Sequence, residues 1–299
     1  MSPADGRPAP PILRRFLRWS AVGIVTAAVL AYLTVIAYLM ANEVQLVFVP
    51  NRKAYAIAPE VAARLERIPR TPRGPGSGLL LVMRQSAHAD APWVVYLHGN
   101  GANVDTPENV ERYEVLHRLG LQVVAPEYPG FGEVSGTPSE AALDAAARDA
   151  WEWLRAQGVP AASIAIYGWS LGSGVATDLA SVVAERAVVL EGAFSGVDDR
   201  ASELYPWLPI RLMVRNRFAS RDRIAHLGSP LLLLHATDDT VIPVAHARML
   251  LAAAREPRRL VELTGGHVHL NRRDETRYTQ ALQSFFGGVF PAVRGAVQP

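Results

Sequence analysis

Ile164-Ala165-Ile166-Tyr167-Gly168-Trp169-Ser170-Leu171-Gly172-Ser173 decides the fold. A short apolar run rich in β-branched residues ends in Gly-x-Ser-x-Gly, and a small-residue, helix-compatible segment follows. The order is strand, sharp turn, helix, with a serine at the apex. Glycines on either side permit the tight backbone, and the serine hydroxyl projects clear of the sheet. A serine attacks only when a base takes its proton, so the motif requires a histidine and an acid elsewhere. Without them, Ser170 would simply cap a helix.

Both partner types follow downstream. Leu231-Leu232-Leu233-Leu234-His235-Ala236-Thr237-Asp238-Asp239-Thr240 places two carboxylates just past a buried strand. That is the rim where open α/β sheets gather their chemistry. Either aspartate could orient a histidine, and Glu191, ending Val188-Val189-Leu190, is a lesser alternative. Leu263-Thr264-Gly265-Gly266-His267-Val268-His269 then supplies a histidine after a Gly-Gly turn. His267 is the expected general base and His269 the second choice. Reading His267 and His269 as a metal pair lacks a third ligand and any cysteine, so neither a metal nor an organic cofactor is expected. Upstream, Val94-Val95-Tyr96-Leu97-His98-Gly99-Asn100-Gly101 runs from strand into a glycine turn. The backbone N–H groups of Leu171 and Asn100 are the candidate oxyanion donors. His98 is read as holding that loop, and His88, His117, His226, His235 and His246 as surface or structural residues.

The surrounding chain alternates in the same way. Strands are expected at 44–49, 79–83, 93–97, 122–125, 163–167, 187–190, 231–235 and 259–263. Helices are expected at 104–119, 139–157, 171–184, 245–255 and 274–286. The alternation predicts an α/β fold, a mostly parallel central sheet with helices on both faces. Continuously apolar strands fit a sheet buried on both sides. Residues 69–78, rich in Pro, Gly and Arg, read as a loop. Residues 198–227, with Pro206, Pro209 and several aromatics, read as a small cap region.

The composition narrows the partners. The chain has 299 residues, 49% of them hydrophobic, with a net charge of +2 and no cysteine. That charge gives no case for nucleic acid, and the missing thiols exclude a disulfide framework or a cysteine nucleophile. Residues 19–41 carry no charge and are long enough to cross a ~30 Å hydrocarbon core. Arg7, Arg14, Arg15 and Arg18 precede the run, whereas Arg52 and Lys53 follow. The positive-inside rule then makes 1–18 a cytoplasmic tail, 19–41 a signal anchor, and 44–290 a domain outside the cytoplasm. A cleaved signal peptide would need a shorter apolar region and a better small-x-small site than Leu39-Met40-Ala41. A buried core helix is the remaining alternative.

From about Val44 to Gly287 the chain resembles the α/β-hydrolase superfamily, and most of all its small, membrane-anchored serine hydrolases. The resemblance rests on His98-Gly99-Asn100, Tyr128-Pro129-Gly130-Phe131-Gly132, Gly168-x-Ser170-x-Gly172, Asp239-x-x-Ile242-Pro243 and Gly266-His267. It implies an α/β-hydrolase fold and a Ser170, Asp239, His267 triad in the family's chain order. It also favours Asp239 over Asp238, since the family's acid stands three residues before a hydrophobic-Pro pair. Glu127-Tyr128-Pro129-Gly130 and Ala236 depart from common family residues and leave the substrate rim open. The implied activity is hydrolysis of a carboxylic ester or related acyl bond in a small-molecule or lipid-like substrate. Thioesterase, peptidase and acyltransferase chemistry would use the same groups, and a non-catalytic scaffold would keep only the fold.

Overall fold

A computed structural model describes residues 11–70, 78–86 and 88–295. Arg7 and residues 71–77 of the expected loop lie outside the described residues, as does the Arg14 side chain. The chain divides into two compact units, Met1–Leu46 and Val47–Pro299.

The described part of the first unit is mainly helix α1, Pro11–Ala41, followed by the short α2, Glu43–Val47. Within α1, Arg15–Ala41 is long and apolar enough to cross a membrane, with a mean hydropathy of 2.2 and no share of it buried. The expected strand at 44–49 is replaced by α2 and an extended exit. The amide of Leu46 bonds the carbonyl of Asn42, so the helical ladder carries past Ala41. A six-residue apolar run has no periodicity that separates the two states.

The second unit is built on eight strands. They are β1 Leu65–Pro69, β2 Leu79–Met83, β3 Trp93–Leu97, β4 Gln122–Pro126, β5 Ile164–Trp169, β6 Ala187–Glu191, β7 Leu231–Ala236 and β8 Arg258–Leu263. The sheet order is β1-β2-β4-β3-β5-β6-β7-β8. β1 and β2 run antiparallel to their neighbours, and β3 to β8 are parallel. The helices are α3 Pro59–Ala62, α4 Pro107–Arg118, α5 Glu140–Ala156, α6 Leu171–Val182, α7 Val197–Leu204, α8 Ile210–Met213, α9 Ser220–Ile224, α10 Ala245–Ala253, α11 Leu270–Arg273 and α12 Glu275–Val289.

Strands β2 to β7 are buried along their whole length, as a sheet covered on both faces requires. Alternate residues Tyr96, Val123, Tyr167 and Val189 face one core with Tyr113 and Leu116 of α4 and Tyr278, Leu282 and Phe286 of α12. α5 opens at Ser139, whose hydroxyl accepts from the amide of Ala142, and buries Leu143, Ala147, Ala150 and Leu154 at helical spacing. α7, α8 and α9 lie between β6 and β7, in the expected cap region. The parallel strands all end on one rim, and Asn100, Ser170, Asp239 and His267 each lie just past a strand end there.

Candidate active site

Ser170 stands between β5 and α6 with φ 53° and ψ −120°. A left-handed φ is uncommon outside glycine and marks a backbone held in place by its surroundings. The flanking glycines explain how. A Cβ at position 168 would stand 2.3 Å from the carbonyl oxygen of Gly172, and one at 172 would stand 2.0 Å from that of Leu97. The turn is jammed against the end of β3, so only hydrogen fits at both sites. The amide of Ser170 is fixed by the carbonyl of Glu191 at 2.9 Å.

Ser170 Oγ lies 2.8 Å from His267 Nε2, and His267 Nδ1 lies 2.7 Å from Asp239 Oδ2. An ionised carboxylate only accepts, so Nδ1 carries the imidazole proton and donates it to Asp239. That leaves Nε2 free to accept from the serine hydroxyl. Asp239 Oδ1 in turn accepts from the amides of Val241 and Ile242, both at 2.8 Å. Burial pushes the Asp239 carboxyl up, but the His267 hydrogen bond and charge and the Ile242 amide outweigh it. Its pKa therefore lies below the ordinary carboxylate value, and the group stays charged beside the imidazole.

Asp238 does something different. Its exposed carboxylate accepts from the amides of Gly265 and Gly266, each at 3.0 Å to Oδ1, which lower its pKa. It ties the histidine loop to the acid loop. The neighbouring aspartates thus divide the work, one on the ring and one on the backbone that presents it. Glu191 is fully engaged elsewhere and faces no imidazole. His269 stands at the N-terminal end of α11. His267 and His269 belong to no cluster of three metal-ligating side chains among the described residues.

Of the candidate oxyanion donors, Leu171 directly follows the serine and Asn100 directly follows Gly99. Leu171 opens α6, and a Cβ built on Gly99 would stand 3.1 Å from Ser170 Cβ. Asn100 is locked from both sides: its Oδ1 accepts from the Val49 amide and its Nδ2 donates to the Val47 carbonyl. Below it, Glu127 accepts from the amide of Val104 at 3.1 Å and lies 3.0 Å from His98 Nε2. This buried carboxylate therefore ties His98 and Val104, at either end of the loop after β3, to the end of β4. Glu127 occupies one of the positions where the sequence departs from common family residues.

Arg112 has no place in the sequence reading, yet it sits under the site. It is fully buried in α4, and its guanidinium forms a two-pronged pair with Glu191. It also donates to the carbonyl of Val268 at 3.1 Å and lies 4.3 Å over the Trp169 ring. Tyr167 and Tyr278 complete the Glu191 shell with their hydroxyls. Burial favours the neutral form of each partner, but the opposite charge reverses that: the Glu191 pKa is lowered and the Arg112 pKa raised. The pair thus joins Trp169, the Ser170 amide acceptor and the loop of His267. A charged residue on the face shared with Asn109, Tyr113 and Leu116 was the available signal.

A family model for the α/β hydrolase fold matches residues 92–223. An uncharacterised protein of Mycobacterium tuberculosis is 33% identical over 271 residues, covering 90% of this chain and 95% of that protein. Lysophosphatidylserine lipase ABHD12 of Danio rerio is 34% identical over 194 residues, covering 59% of this chain and 50% of the lipase. The chain thus spans about half the length of that relative. Among solved structures, an esterase of Pyrococcus furiosus superposes with a TM-score of 0.65 at 16% identity, over 80% of this chain and 98% of that one. At that identity the likeness concerns the fold.

Proposed function

Because this chain belongs to the α/β-hydrolase superfamily, we propose that it is a serine hydrolase that cleaves a carboxylic ester of a lipid-like substrate through an acyl-enzyme. The observation that carries the reading is the unbroken hydrogen-bonded chain from Ser170 through His267 to Asp239 on a strained turn. Ser170 Oγ attacks the ester carbonyl carbon as its proton passes to His267 Nε2. The N–H groups of Leu171 and Asn100 hold the oxyanion. His267 then gives the proton to the leaving alkoxide, which departs as an alcohol. Water, activated by the same nitrogen, releases the acid and restores Ser170. Asp239 keeps the imidazole in the right tautomer and stabilises its charged form.

The lysophosphatidylserine lipases among the relatives support a lipid ester, and α1 supports anchoring of the domain to a bilayer as a single span. Arg15 and Arg18 ahead of the apolar run favour a domain on the extracytoplasmic side. A fluorophosphonate probe tests the catalytic reading. It labels the wild-type chain and fails to label Ser170→Ala. An unlabelled wild type, or a labelled alanine variant, rules the reading out.

A further inference from the structure

The exposed apolar residues of the second unit are not scattered. Among its described residues the large exposed ones are Val49, Leu204, Tyr205, Trp207, Leu212 and Val241, with Val182 apart. Val182 ends α6, about 18 Å along the helix from the serine end. The other six belong to segments tied to the loops past the ends of β3, β6 and β7. Val241 belongs to the acid loop, its amide bonded to Asp239 and its carbonyl accepting from Arg200 of α7. Leu204 ends α7, and Tyr205, Trp207 and Leu212 follow within eight residues, with Arg211 of α8 tied to Asp199 of α7. Val49 clamps Asn100 through its amide, and its neighbour Phe48 meets Phe218, which lies between β6 and β7, edge-on at 6.1 Å.

Two facts select the occupant. The chain enters this unit at Val47–Val49, on the same rim, and only five residues separate that entry from the end of the span-length helix at Ala41. The patch is made of Trp, Tyr and Leu beside an exposed arginine, the residue set favoured at a membrane–water boundary. We infer that this rim rests on a lipid bilayer, with the 204–212 segment seated at headgroup level, so that an ester reaches Ser170 directly from the membrane. The inference builds on the anchored-esterase reading and adds the route by which substrate arrives.

The cysteine-free chain makes the test clean. Full-length Leu212→Cys and Val182→Cys, each carrying a nitroxide, are reconstituted separately into phosphatidylcholine–phosphatidylglycerol vesicles. The label at 212 should collide more with oxygen than with a nickel chelate, and the label at 182 should do the reverse. Equal access of the chelate to both labels overturns the inference. So does an aqueous signal at 212 in vesicles holding this chain alone, which is the result for a patch made for a protein partner. This readout needs no turnover, so it fails or succeeds apart from the esterase reading. As a second measurement, Trp207→Ser with Leu212→Ser should lower the ratio of bilayer-ester to soluble-ester hydrolysis by roughly tenfold, equivalent to about 1.4 kcal/mol. An unchanged ratio also overturns it.

Discussion

Two adjacent aspartates with different duties make the sharpest contrast at the scale of single residues. Asp239 is buried against the imidazole, whereas Asp238 is exposed and holds two loop amides. Asp239→Asn should lower kcat by about 10⁴ because the amide no longer enforces the imidazole tautomer. Asp238→Ala should cost about tenfold to a hundredfold, through a loosened histidine loop. Hydrolysis of a p-nitrophenyl ester measures both, and equal losses would contradict the division of labour. The contact between Ser170 and His267 was foreshadowed in the sequence because each stands beside glycines just past a strand. Preferring Asp239 to Asp238 needed a resemblance, since both lie in the same loop and only their folded partners and burial distinguish them. Arg112 and Glu127 escaped because their partners are 79 and 29 positions away.

Among the elements, α4 and β6 depend on one another through a single buried ion pair. Removing one member leaves the other charged and dry, which costs about 3–5 kcal/mol. Arg112→Met should therefore lower stability by that amount in chemical denaturation, and adding Glu191→Leu should restore much of it. A single variant as stable as wild type would show that the pair does not hold these elements together. Strands β2 to β7 were legible because burial on both faces leaves continuous apolar runs. β1 was not. Leu65-Glu66-Arg67-Ile68-Pro69 is an edge strand whose two charges face solvent and whose proline ends it. Short, charged and proline-terminated, it carries no strand pattern to read. The misread segment 44–49 fails for the opposite reason, since its apolar run suits a helix end as well as a strand.

On the scale of the whole molecule, a span-length helix and a hydrolase-fold unit share one chain. An anchored chain should remain in the membrane pellet through alkaline carbonate extraction, and release into the supernatant would contradict the anchor. The helix was evident from composition, because 23 uncharged residues leave few other readings. The proposed rim patch was not, because its members are far apart in sequence and their exposure appears only in the folded chain. The strained turn at Ser170 has a consequence for the molecule as a whole. Glycine adopts that φ without a Cβ penalty, so Ser170→Gly should be more stable than Ser170→Ala by about 1 kcal/mol. Denaturation midpoints of the two variants measure this, and equal midpoints would mean the turn is relaxed. A glycine at 170 would then relieve the turn while removing the hydroxyl that meets His267, so strain and the serine–histidine contact belong to the same residue.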